Sequence, residues 1–177
     1  MSSLTYPSRL MLVAAMNPCP CGYYTHPSRD CSCSSNQIQR YLSKISGPLL
    51  DRIDIHIETP ALQYKEMTDD TKAESSAQIR ERVIKARKIQ EQRFNELKIH
   101  CNAQMRAKEI RKFCTIDGQA RELMKQAIQQ LGLSARAYDK ILKVSRTIAD
   151  CEEKENIEEA HIAEAIQYRS LDRNLWV

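Results

Sequence analysis

The sequence predicts two unlike parts, an incomplete α/β sheet unit over residues 1–60 and an all-α bundle over 76–177, joined by a linker at 61–75. Three observations carry this. Residues 10–16 are a continuous apolar run and "RIDIHIE" at 52–58 alternates, the two signatures of strands. Beyond residue 75 apolar side chains recur at helical spacing, between serine or aspartate starts and a glycine stop. Four glycines and two phenylalanines in 177 residues argue against an all-β chain of tight turns.

The elements follow in order. "LMLVAAM" reads as a central strand buried on both faces, ended by Asn17-Pro18. "NQIQRYLSKI" at 36–45 is a short amphipathic helix stopped by Gly47-Pro48. "RIDIHIE" places Ile53, Ile55 and Ile57 on one face of a half-exposed strand that Pro60 closes. Residues 61–75 are polar and aperiodic. A long basic helix is expected at about 74–97 and a short one around 103–113. Asp117 can N-cap the next, with Ala120, Leu123, Met124, Ala127, Ile128 and Leu131 as its stripe. Gly132 stops it, and Ser134 caps another, with Leu133 and Tyr138 placed as a hydrophobic staple. That helix shows Tyr138, Ile141, Leu142, Ser145, Ile148 and Ala149 on one face. A last helix at about 158–170 packs Ile162, Ala165 and Ile166, completing a small bundle. Two strands and one helix leave open edges. The first part therefore pairs with a second copy or is the tail of a larger domain.

The bulk numbers set the setting. The hydrophobic share is 42% and the charged share 28%, which describes a globular chain. No apolar run is long enough to span a bilayer, and "MSSLTYPSR" lacks the apolar segment of a secretory signal. A cytoplasmic protein without membrane partners is the expectation. The net charge of +4 is uneven: residues 80–112 hold eleven Lys or Arg against four Glu. Such a stretch can face nucleic acid; the plainer reading is a solvated helix face with pairs such as Glu81–Lys85.

Four of the seven cysteines, Cys19, Cys21, Cys31 and Cys33, fall in "NPCPCGYYTHPSRDCSCSS". An odd total in a reducing compartment argues against disulfides. Cys101, Cys114 and Cys151 read as buried thiols. Four thiolates are the set for a closed structural zinc site. The Cys-x-Cys spacing is tighter than the usual Cys-x₂-Cys, and His26 is a spare ligand. The alternative is a reduced-thiol loop shaped by Pro18, Pro20, Gly22 and Pro27. A catalytic zinc is not expected, since four cysteines leave no open position.

Three blocks, "YPSRLMLVAAMNPCPCGYY", "QIQRYLSKISGPLLDRIDIHIE" and "LSARAYDKILKVSRTIADCEEKENIEEAHIAEAIQYRSLDR", resemble the C-terminal portion of the Mg-chelatase-like AAA+ ATPases, the ComM/YifB-type competence-protein family. The resemblance implies the last strands of an AAA+ core followed by its helical lid, with ATP and Mg²⁺ as cofactors of the full-length protein. No GK[ST] tripeptide of a Walker A loop and no Walker B strand occur in the sequence, so the chain alone is expected to be inactive. Asn17, at the end of its strand, matches sensor 1, which orients the attacking water. Its plain alternative is a strand cap. Arg52 in "GPLLDRID" matches the arginine finger, which neutralises charge on the transferred phosphoryl of a neighbouring subunit and implies a ring, expected to be a hexamer. Its alternative is a surface pair with Asp51 or Asp54. Arg136 in "LSARAYDK" matches sensor 2, a nucleotide-binding residue in a first helical turn where the dipole disfavours a cation.

The resemblance further implies action on DNA, of the branch-migration or helicase kind. Two rivals remain: the motor subunit of a tetrapyrrole Mg chelatase, and a zinc-stabilised nucleic-acid-binding module built on the cysteines and the basic helix.

Overall fold

Four of the described helix starts are set by short side chains, Ser34, Ser75, Asp117 and Ser134, that satisfy orphan amides. The computed structural model describes residue 4 and residues 10–60 and 73–169. The Ser34 hydroxyl accepts from Gln37 N–H while the Gln37 amide oxygen accepts from Ser34 N–H, a capping box that opens α1, Ser35–Leu42. Ser75 and Gln78 repeat the motif at the start of α3, Ser76–Arg93. Between them lies α2, Gly47–Leu50. The Gly47-Pro48 expected to stop a helix instead starts one, because proline fits the first turn, where no amide partner is needed. A 3-10 turn at Asn102–Gln104 precedes α4, Ala107–Phe113. Asp117 caps α5, Gly118–Leu131, accepting from Ala120 N–H at 2.8 Å. Gly132 ends it at φ +59°, a left-handed turn that glycine adopts without Cβ strain. Ser134 caps α6, Ala135–Cys151, and α7 is Glu159–Gln167. None of the described helices is long and apolar enough to cross a membrane.

The described residues fall into two units, 1–44 and 45–177. In the second, α6 packs against α3, α4 and α7, and α5 against α7. The core is Phe94, Met105, Ile110, Cys114, Ala120, Met124, Ile141, Leu142, Ile157, Ile162 and Ala165. A parallel bridge between Ile116 and Ile157 ties the segments entering α5 and α7. At about 25 cal/mol per Å², this apolar stripe is what holds the short helices, which are too short to persist alone.

A second layer inside this core is ionic. Asp150, wholly buried, accepts from Arg93 Nη1 at 2.7 Å, Asn102 Nδ2 at 2.8 Å and Arg146 Nε at 3.1 Å, and also from Arg93 Nη2. Arg146 also donates from Nη1 to the Glu155 carbonyl and from Nη2 to the Lys154 carbonyl. Burial pushes the Arg146 pKa down while the Asp150 carboxylate pushes it back up. Arg93, counted above among the cations of a solvated face, is largely covered, its side chain 13% exposed. Lys85 pairs with Glu153 at 2.8 Å, in place of the expected Glu81 partner.

The described residues are mostly helical, and the strand part of the α/β expectation is not seen among them. Residues 10–16, expected to be buried on both faces, are exposed, as are Ile55 and Ile57. A strand exists only when a neighbour takes its backbone groups, and the described residues include no such neighbour. In "RIDIHIE" the buried residue is His56, whose N–H donates to the Tyr168 carbonyl at 2.8 Å. Residues 61–72 of the expected linker lie outside the described residues.

Candidate functional site

In the first unit the four clustered cysteines converge. Their Sγ atoms all lie within 4.8 Å of one another, with Cys19–Cys21 at 3.3 Å, Cys21–Cys31 at 3.5 Å and Cys19–Cys31 at 3.6 Å. Local turns produce this. Gly22 N–H donates to the Cys19 carbonyl at 3.1 Å, with Gly22 at φ +82°. Tyr24 N–H points at the Cys19 sulfur, 3.3 Å away. Thr25, at φ +66°, turns the chain back, a costly conformation for a β-branched residue. All seven cysteines are free thiols.

The donor set fits a tetrahedral dication. Zn–S bonds of about 2.3 Å put sulfurs roughly 3.8 Å apart, close to the three named separations. Electrostatics agrees. The Tyr23 amide, together with neighbouring thiols, holds the Cys21 thiol down to about 5. Cys31, despite an amide hydrogen bond from Cys33, is pushed up to about 12 by desolvation and the Cys21 and Cys19 sulfurs. Successive thiolates this close repel one another unless a cation lies among them. His26 is otherwise engaged, its Nδ1 accepting from Ser28 N–H at 3.2 Å. Asn17 is exposed, and its side-chain Cγ and Nδ2 lie 3.8 Å from where a Cβ on Gly22 would stand. The amide thus rests on the first cysteine turn.

In the second unit Asp51, the residue before Arg52, lies beside Arg136. Arg52 follows α2, is exposed, and donates from Nη1 to the Pro48 carbonyl at 2.8 Å. Its own carbonyl accepts from Lys140 Nζ on α6. Arg136, in the first turn of α6, has a side chain 69% exposed and lies 3.8 Å from Asp51 Oδ2. Neither carboxylate beside Arg52 is its partner: Asp51 serves Ser134, Arg136 and Arg169, and Asp54 serves Lys140 at 3.0 Å. Arg52 therefore keeps an exposed charge on a fixed backbone.

Sequence reasoning missed Ser134, Lys140 and Arg169 as parts of this arrangement. Arg169, almost fully buried, donates to the Ile53 carbonyl, and the two residues are 116 positions apart. No local pattern signals such a contact.

Comparison with known proteins places the chain. Residues 73–169 match the model for magnesium chelatase, subunit ChlI C-terminal, and residues 1–67 that for magnesium chelatase, subunit ChlI. The chain belongs to this magnesium-chelatase-like family, and within it to the ComM/YifB type. It is 43% identical to competence protein ComM of Haemophilus influenzae over 98% of its length, covering 33% of that protein. It is 40% identical to YifB of Escherichia coli and 39% identical to YifB of Salmonella typhimurium, with the same coverage. The chain thus spans about a third of the length of the curated relatives it matches.

Proposed function

We propose that this chain supplies the phosphate-facing arginines of an AAA+ ATPase that works as a ring, a hexamer, on DNA. The observation that carries this is the Arg52–Arg136 arrangement. Both guanidinium groups are exposed; Asp54 is engaged by Lys140, and Asp51, which accepts from Ser134, leaves Arg52 and stands only in a loose 3.8 Å pair with Arg136. Arg52 would neutralise charge developing on a phosphoryl group bound by the neighbouring subunit. Arg136 would bind the nucleotide phosphates, and Asn17 would orient the attacking water through its amide. ATP with Mg²⁺ supplies the phosphoryl group and its counter-charge when bound. No step is assigned to the cysteine cluster; Cys19, Cys21, Cys31 and Cys33 would hold a structural zinc that fixes the turn under Asn17.

DNA as the substrate is supported by the likeness to a protein named for competence. The test is ATP hydrolysis by the full-length protein with and without DNA. Stimulation by DNA, with loss of at least about 10³-fold on Arg52→Ala by analogy with arginine fingers generally, is the expected result. Stimulation by tetrapyrrole and a partner subunit instead would make the protein a chelatase motor. Salt-sensitive DNA binding by this chain, abolished with its metal, would favour the nucleic-acid module.

A further inference from the structure

Resting on the reading that Arg136 meets phosphate, we propose that Asp51 is a positioning residue: its carboxylate holds Arg136 aside and yields it to phosphate oxygens. The two oxygens of Asp51 do different things. Oδ1 accepts from the Ser134 hydroxyl at 2.9 Å and stands 3.8 Å from Arg169, whose side chain is 1% exposed. The Ser134 hydrogen bond fixes the carboxylate to the start of α6. Oδ2 stands 3.8 Å from Arg136 Nη1, beyond hydrogen-bond length, in a pair whose arginine is 69% exposed and whose carboxylate is 28% exposed.

One side of the carboxylate is therefore anchored and the other makes a loose pair. A loose exposed pair contributes little, so a polyphosphate carrying several negative charges outcompetes it. When Arg136 leaves, Asp51 stays, held by the Ser134 hydroxyl, with the buried Arg169 cation still beside it. Asp51 also precedes Arg52, whose carbonyl accepts from Lys140 on the same helix. The contacts of this one turn thus set the backbone of Arg52 and the resting place of Arg136. The pair also removes the conflict of a cation at a helix N-terminus, because the carboxylate lies beside it.

The test is binding of inorganic tripolyphosphate to this chain at low ionic strength, by calorimetry, for wild type, Asp51→Asn, Arg136→Ala and the double variant, each checked for folding by circular dichroism. Asp51→Asn is expected to bind about two- to fivefold more tightly, the range an exposed ion pair allows. The gain should vanish when Arg136 is alanine. A gain that persists in the Arg136→Ala background is long-range charge alone and overturns the proposal. No gain, with Arg136→Ala weakening binding, overturns it and leaves the phosphate reading intact. Arg136→Ala binding like wild type overturns both. Should Asp51→Asn fail to fold, wild type still decides: tripolyphosphate must shift the Arg136 Nε and Asp51 carboxyl NMR signals along one saturation curve. A stationary Asp51 signal overturns the proposal.

Discussion

Replacing Asp150 with alanine should be among the most damaging single changes in the second unit. The carboxylate is wholly buried and is the counter-charge for Arg146, 4% exposed, and Arg93, 13% exposed. Arg146 keeps its carbonyl partners, but both guanidinium groups lose their anion, and Asn102 Nδ2 loses an acceptor. Breaking a buried ion pair by removing one partner costs about 3–5 kcal/mol, against a total stability of roughly 5–15 kcal/mol for a domain. With a urea m-value of about 2 kcal/mol per M, a loss near 4 kcal/mol moves the midpoint down by about 2 M. Far-UV circular dichroism during urea titration measures it. Asp150→Asn should do nearly as badly, because its amide hydrogens would face guanidinium donors. A midpoint shift below about 0.5 M for either variant would refute the view that this network is a structural element of the core.

Three further outcomes are expected. The reduced chain should carry close to one zinc by elemental analysis, and Cys31→Ser should remove it, since all four sulfurs are needed for a closed site. Gly132→Ala should cost about 1 kcal/mol: the residue sits at φ +59° and a Cβ there meets nothing within 4 Å, so the penalty is conformational and a thermal melt reads it. Burial pushes the Cys114 thiol up to about 11 from 9.0. Below pH 9 both folded and unfolded states keep the proton, so stability does not change; between 9 and 11 only the unfolded state loses it. Stability should fall there by up to about 2–3 kcal/mol, at about 1.4 kcal/mol per pH unit, and Cys114→Ala should abolish that share of the alkaline slope.

What the sequence showed plainly was local. Ser134, Asp117 and Gly132 act on amides and carbonyls within a few residues, so their roles are visible in a short window. The core stripe of α5 is legible for the same reason, as Ala120, Met124 and Ala127 are buried where periodicity puts them. The strands were not, because extended backbone becomes a strand only through its neighbours. Ile53, Ile55 and Ile57 alternate correctly, yet His56 is the residue covered. Asp150 and Arg93 lie 57 positions apart, and charge in a helical stretch reads as surface until the partner is known. At the candidate site, cysteine count suggested a metal while the Cys-x-Cys spacing spoke against one; the turn at Gly22 resolves that tension by folding Cys19 and Cys21 to 3.3 Å. Arg52 stood out by likeness, but its freedom from Asp51 and Asp54 depends on Ser134, Lys140 and Arg169.

The most direct test of the central claim is subunit mixing. Full-length Arg52→Ala protein is combined with full-length protein whose nucleotide-binding site has been inactivated, and ATP hydrolysis is followed as the ratio varies. If Arg52 acts on the neighbour's nucleotide, each protein alone is inactive and the mixture regains activity, because intact arginines then face intact nucleotide sites. Arg52→Ala protein that hydrolyses ATP unaided, or a mixture that stays silent although the two proteins assemble together, would contradict it.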